Sequence, residues 1–181
     1  MLSIKYFAYG SNLDIERLRN RIATFSDPIK EGIPYTLQNY RLVFNAGYMY
    51  SGIVFANIVL SKGEFVEGIL YDITPAQLKE LDRFEALYEK HFFYLNNNTI
   101  ACVYIAENNR SLVIEGKPSL EYLNIIIDSC KKLGFTRTYD NLVEFKLSNY
   151  KIRKSKHKKS ENGNKNIQRG VLDTQFHNDF V

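Results

Sequence analysis

Two stretches of the chain hold residues whose types and spacing suit acid–base or anion chemistry. The first is Tyr6-Phe7-Ala8-Tyr9-Gly10-Ser11-Asn12-Leu13. A small-residue turn there joins strand-like sequence to the start of a helical pattern. Free N–H groups at such a junction, with the positive end of a helix dipole, attract anions. Gly10 lets backbone approach a ligand, and Ser11 and Asn12 can donate to a carboxylate or cap the helix. An ordinary capped turn, with Tyr6 and Tyr9 in the core, fits the same residues. The second stretch ends in Glu85. Leu78, Leu81 and Glu85 are spaced i, i+3 and i+7. A continuous helix therefore puts the acid on the buried stripe of the two leucines. Burial raises the pKa of a carboxyl, which suits a group that takes and returns protons near neutrality. A helix that unwinds before Glu85 leaves it in water instead. Asp82 lies one step off the stripe and Glu89 sits beside Lys90, so both read as surface groups.

These residues need elements to hold them. Strands are expected at 5–9, 39–44, 52–60 and 65–73, with the turn signal Ser61-Lys62-Gly63-Glu64 between the last two. Leu13, Leu18 and Ile22, with Arg17, Arg19 and Arg21 between them, suggest a short amphipathic helix. Thr74-Pro75-Ala76-Gln77 combines a capping residue, proline at the first helical position and a capping-box glutamine, so a helix is expected from there to about residue 85. A hairpin is expected over 92–95 and 100–106 around Asn96-Asn97-Asn98. Pro118-Ser119 opens a helix over 120–133 that Gly134 ends. This order predicts an α+β domain with a mixed sheet.

The composition narrows the function classes. The 181 residues carry a formal net charge of +4. Residues 1–150 hold 16 Lys and Arg against 17 Asp and Glu, whereas residues 151–181 hold 8 against 3. The basic character belongs to the tail, so the body does not read as a nucleic-acid binder. A domain over 1–150 and a flexible basic tail over 151–181 are expected. No apolar run approaches the ~18–20 residues of a membrane-spanning helix. Met1-Leu2-Ser3-Ile4-Lys5 leads into strand-like sequence without the apolar segment of a signal peptide. Cys102 and Cys130 form no Cys-x-x-Cys, and His91, His157 and His177 are scattered without metal-ligand spacing. A cytoplasmic protein with reduced thiols is expected.

Taken together, the two stretches resemble the γ-glutamylcyclotransferase (AIG2-like) family. Residues 6–13 match its Y-F-A-Y-G-S-N-L motif in full, and Leu81-Asp82-Arg83-Phe84-Glu85 matches its Leu-Asp-x-x-Glu motif. Arg41-Leu42-Val43-Phe44-Asn45 and Ala56-Asn57-Ile58-Val59 resemble its middle strands. Val66-Glu67-Gly68-Ile69-Leu70-Tyr71 resembles its V-x-G-x-x-Y strand. Pro118-Ser119 with Tyr122, and then the stretch from Gly134 to Tyr139, resemble its last helix and the tyrosine that follows. The similarity runs in order over about residues 4–145. Three positions depart from the pattern. Ala86 replaces a glycine, His91 and Phe92 stand where a tyrosine is common (Tyr88 is close by), and Phe55 stands where the family has small residues.

The resemblance implies a small mixed β-barrel with flanking helices and a pocket at one barrel opening. It implies a reaction in which a γ-glutamyl amide is attacked by its own α-amino group, giving 5-oxoproline and a free amine or amino acid. Glu85 would be the general base and then the general acid. Backbone N–H groups near Gly10 and Ser11 would meet the oxyanion or the substrate carboxylate, and Tyr139 would close the pocket. The substrate-binding residues carried over are Tyr6, Phe7, Ala8, Tyr9, Gly10, Ser11, Asn12 and Tyr139. No metal, cofactor or side-chain nucleophile is required. The implied partner is a small-molecule γ-glutamyl substrate. Nucleic acid, anionic lipid or an acidic partner would bind only through the 151–181 tail, and monomer or homodimer stays open. Two other functions remain: a divergent, non-catalytic carboxylate-binding module, and an interaction protein acting through the tail.

Overall fold

A computed structural model of the chain describes residues 3–22, 28–47, 52–95, 99–107, 112–113 and 116–150. The basic tail and the turn Asn96-Asn97-Asn98 lie outside these residues. The chain divides into two units, Met1–Lys151 and Ile152–Val181, and only the first falls among the described residues. Its elements are β1 (Ile4–Ala8), a 3-10 turn (Ser11–Leu13), α1 (Ile15–Ile22), β2 (Ile33–Gly47) and β3 (Val54–Ile73). There follow α2 (Pro75–Leu81), β4 (Glu89–Tyr94), β5 (Ile100–Ile105), β6 (Leu112–Val113), α3 (Leu120–Leu133) and α4 (Thr136–Asn149). The strands form one mixed sheet in the order β4-β5-β1-β3-β2-β6, which curls into a half-barrel flanked by the four helices. The expected α+β class, mixed barrel and flanking helices are what form.

β1 lies at the centre of this sheet. It pairs antiparallel with the second half of β3, Phe7 opposite Leu70, and parallel with β5, Tyr6 opposite Cys102. Tyr6, Phe7 and Ala8 are all buried, as expected for a strand covered on both faces. Position 68 must be glycine for this approach: a Cβ there would lie 2.5 Å from the Ala8 carbonyl oxygen and from the Phe7 ring.

β2 and β3 form one long antiparallel ladder, and here the structure corrects the sequence reading. Ser61-Lys62-Gly63-Glu64 does not separate two strands. Gln38 pairs with Phe65 and Tyr40 pairs with Leu60, so residues 61–64 bulge out opposite the single residue Asn39. Asn39 and Gly63 both take left-handed backbone, with φ of 62° and 81°. The Asn39 side-chain oxygen accepts the Gly63 N–H at 3.1 Å. The turn residues supply a bulge, which bends and twists the ladder without ending it.

The bend brings the first half of β3 round to the end of β5. Asn57, fully buried, closes the seam with its side chain. Its Oδ1 accepts the Ala106 N–H at 2.9 Å, and its Nδ2 donates to the Ala106 carbonyl at 3.0 Å and to Asn45 Oδ1 at 2.9 Å. One amide thus stands in for a backbone pair.

The helices follow their caps. Thr74 accepts the Gln77 N–H at 3.2 Å and Gln77 Oε1 accepts the Thr74 N–H at 2.8 Å, the capping box expected from sequence. α3 starts after Ser119 and stops at Gly134, which is left-handed at φ 74°. α2 stops at Leu81, earlier than expected. Its last turn tightens to i, i+3 bonds, Arg83 N–H to Glu80 and Phe84 N–H to Leu81. α4 was not anticipated, because Phe135 at its start offers no side-chain cap. It is tied to the sheet by Thr138, whose N–H and hydroxyl both donate to Glu67 Oε2, at 2.9 and 2.8 Å. Among the described residues, no helix is long and apolar enough to cross a membrane.

Candidate active site

The end of β1, the 3-10 turn, α1, the start of β3, the turn after α2 and α3 converge on a cavity of about 140 Å³. Glu85 lies on its wall. The unwinding of the helix before Glu85 does occur, but it does not leave the acid in water. The Glu85 N–H still reaches the Leu81 carbonyl at 3.2 Å, so the turn keeps the residue on the side that Leu78 and Leu81 face. Its side chain is only 12% exposed.

Asn12 organises the acid. Its Nδ2 donates to Glu85 Oε1 at 3.0 Å and to the Tyr6 hydroxyl at 2.8 Å. Arg21 Nη1 donates to Asn12 Oδ1 at 2.9 Å and lies 3.7 Å from Glu85 Oε1. A guanidinium only donates, so it fixes which end of the amide faces it and turns the Asn12 NH₂ towards the acid. All of these contacts fall on Oε1. Among the described residues, Oε2 takes no hydrogen bond and is left for a ligand. Burial pushes the Glu85 carboxyl above the ordinary carboxylate range, against Arg21, the Asn12 hydrogen bond and Arg17, which pull it down.

Phenols line much of the remaining wall. The Tyr88 hydroxyl donates to the Ala56 carbonyl at 2.7 Å, and the Tyr122 hydroxyl accepts the Ala56 N–H at 3.2 Å. These two clamp the start of β3 beside the cavity. The Tyr9 hydroxyl donates to the Tyr104 carbonyl at 2.6 Å, and the Tyr104 hydroxyl to Asp82 Oδ1 at 2.6 Å. Burial raises the pKa of Tyr6, Tyr9, Tyr88 and Tyr122, so all four stay neutral at physiological pH. Phe55 packs edge-on against Tyr122, their centroids 5.2 Å apart.

The residues expected at the site divide. Tyr6, Tyr9, Gly10, Ser11, Asn12 and Glu85 line one cavity. Phe7 and Ala8 point into the core and do not reach it. Tyr139 lies on α4, packed against the edge of the core, and is not among the lining residues. Gly10, before the 3-10 turn, has φ −110° and ψ −139°. A Cβ there would sit 3.4 Å from Ala56 Cβ and 3.5 Å from the Tyr122 hydroxyl, in ordinary contact, so its hydrogen preserves room in the cavity. Phe55, expected around the pocket, does line it, whereas Arg17, Arg21, Tyr88 and Tyr122 were not foreseen as wall residues. The i, i+4 spacing of Arg17 and Arg21 was the available signal, because it places both on one helix face.

Among the described residues, one group has ligand types suited to a metal. Glu89, His91 and Glu107 bring one ligand atom each to within 4.8 Å of one another, with His91 Nε2 2.9 Å from Glu107 Oε1. None of the three lines the cavity.

The family model described as Gamma-glutamyl cyclotransferase, AIG2-like, matches residues 6–123. No curated protein matches the chain. Among solved structures, the chain is similar to one described as Gamma-glutamyl cyclotransferase, at 24% identity and a TM-score of 0.64, covering 86% of this chain and 95% of that one. An uncharacterized protein from Homo sapiens is also 24% identical, with a TM-score of 0.64 over 85% of this chain and 94% of its own. A yeast γ-glutamyl cyclotransferase specific to glutathione is 11% identical, with a TM-score of 0.55 over 82% of this chain and 99% of its own. At these identities the likeness is one of fold.

Proposed function

Because the chain belongs to the γ-glutamyl cyclotransferase, AIG2-like family, we propose that it cyclises a small γ-glutamyl compound to 5-oxoproline and releases an amine or amino acid. The single observation that carries this reading is the state of Glu85. It is a buried acid whose Oε1 is held by Asn12 and Arg21 and whose Oε2, among the described residues, faces no donor. The substrate's α-ammonium must lose a proton before its nitrogen can attack, and Glu85 Oε2 takes it. The freed amine attacks the γ-carbonyl carbon, and the carbonyl π pair moves to oxygen. Backbone N–H groups of the Gly10–Ser11 turn meet that oxyanion or the substrate's α-carboxylate. The oxyanion then collapses, the C–N bond breaks, Glu85 returns its proton to the leaving nitrogen, and the second proton of the ring nitrogen passes to the released amine, which departs as the ammonium. The raised pKa of Glu85 suits both transfers. Both thiols, Cys102 and Cys130, are buried and free, which fits a reducing, cytoplasmic setting.

The test is release of 5-oxoproline from a panel of γ-glutamyl amino acids and γ-glutamyl amines by the wild type and Glu85→Gln. A loss of about 100-fold or more in Glu85→Gln is expected. Full activity in that variant would overturn the assignment. Binding of the panel with no turnover by the wild type would mark a carboxylate-binding module instead.

A further inference from the structure

Arg17 stands apart from the other arginines of α1. Arg19 is engaged by Glu16, Glu31 and the Ile29 carbonyl. Arg21 is engaged by Asn12 and Glu85, with its guanidinium over the Phe84 ring. Arg17 Nε is shut off from solvent and has no hydrogen-bond partner, and among the described residues its guanidinium forms no ion pair. It lies one helical turn before Arg21 and faces the same cavity. Burial, and the like charge of Arg21, pull its pKa down against Tyr122, Asp14 and Glu121, which raise it. A half-buried guanidinium beside a second one is costly unless something anionic meets it. Of the charged residues that line the cavity, Arg17 and Arg21 are cations and Glu85 is the one acid, and Asp14 and Glu121 act on Arg17 from outside that lining.

We propose that Arg17 is the receptor for a carboxylate of the ligand. This rests on the γ-glutamyl reading, which supplies two sources of that group. One is the α-carboxylate of the glutamyl moiety, and the other is the carboxylate of a departing amino acid.

Three compounds separate these sources: γ-glutamylalanine, γ-glutamyl ethylamide without the departing carboxylate, and 4-aminobutanoyl-alanine without the α-carboxylate. kcat/KM is measured for each with the wild type, Arg17→Met and Arg17→Lys. The wild type is expected to prefer γ-glutamylalanine by about 10- to 100-fold over whichever compound lacks the recognised carboxylate. Arg17→Met brings that pair to within about twofold, and Arg17→Lys keeps part of the preference. A preference that survives in Arg17→Met for both comparisons overturns the proposal. The melting temperature controls for folding. Removing a guanidinium that forms no ion pair should leave it near the wild-type value, whereas a lower value with unchanged compound ranking would give Arg17 a structural role and overturn the proposal. If the wild type turns over none of the three, the cyclotransferase reading falls. Calorimetric titration with the same compounds then decides Arg17 by the same ranking, and absence of binding to all three counts against it.

Discussion

Asn12 Nδ2 donates to Glu85 Oε1 across 73 positions of sequence, at 3.0 Å. The two residues come from opposite ends of the site, the turn after β1 and the turn after α2. Asn12 also receives Arg21 and donates to Tyr6, so one amide sets the geometry of the acid, a cation and a phenol. The acid is thereby oriented through one oxygen only.

Replacing Asn12 tests that arrangement in two ways. Asn12→Ala leaves the Tyr6 hydroxyl, Arg21 and Glu85 Oε1 without their shared partner. The expected cost is about 1–3 kcal/mol in stability and about 10- to 100-fold in kcat/KM. Asn12→Asp sets a second carboxylate against Glu85, which raises the Glu85 pKa further. The acid limb of the kcat/KM–pH profile should therefore move to higher pH. An unmoved acid limb would separate Glu85 from the titration.

The burial of Glu85 has a signature in stability as well as in rate. In the unfolded chain this carboxyl titrates near 4.5, and in the folded protein burial raises it. The folded state therefore holds the proton more tightly. The resulting stabilisation is complete below the unfolded value and is lost as pH rises through the folded one. Glu85→Gln cannot titrate. The melting temperature of the wild type relative to Glu85→Gln should be highest in acid and fall as pH rises. A difference that stays flat across this range would place the carboxyl in water.

Gly10→Ala separates room from fold. The new methyl meets Ala56 and Tyr122 at ordinary contact distances. Stability should fall by about 1 kcal/mol. The methyl takes space from a cavity of about 140 Å³, so KM should rise several-fold. Thermal melting and steady-state kinetics together read both effects, and an unaltered KM would remove Gly10 from the binding surface.

How far the site could be read from the chain depends on the range of each interaction. The α2 start was legible, because Thr74, Pro75 and Gln77 act within one turn. The bounds of α3 were legible for the same reason, through Ser119 and Gly134. Glu85 was placed on the buried side by a helical stripe, yet α2 ends four residues earlier. It reaches the cavity because its N–H still bonds to Leu81. α4 went unseen, because Phe135 gives it no capping signal. The contacts of Arg21 with Asn12 and Glu85, and the clamp of Tyr88 and Tyr122 on Ala56, could not be read locally, since they depend on how α1, α3 and β3 meet. The turn residues 61–64 were recognised, but a bulge and a reversal use the same residue types.

The seam at Asn57 should be a separable unit of stability. Asn57→Ala leaves the Ala106 N–H and carbonyl and the Asn45 side chain unpaired in the interior. The expected loss is about 2–4 kcal/mol. Hydrogen exchange at the Ala106 amide should accelerate well beyond that at Tyr6, which lies within the β1 ladder. Equal acceleration at both would mean that the seam opens only with the whole fold.

The bulge between Asn39 and Gly63 gives β3 a tolerance that an unbroken ladder lacks. In a regular strand, one inserted residue turns every later side chain to the other face. Here four residues already loop out opposite one. A change in their number can be absorbed there, with Ala56 still facing the cavity and Leu70 still opposite Phe7. Length variation in this chain's relatives should therefore gather at 61–64, where insertions and deletions leave both the pocket wall and the core in register.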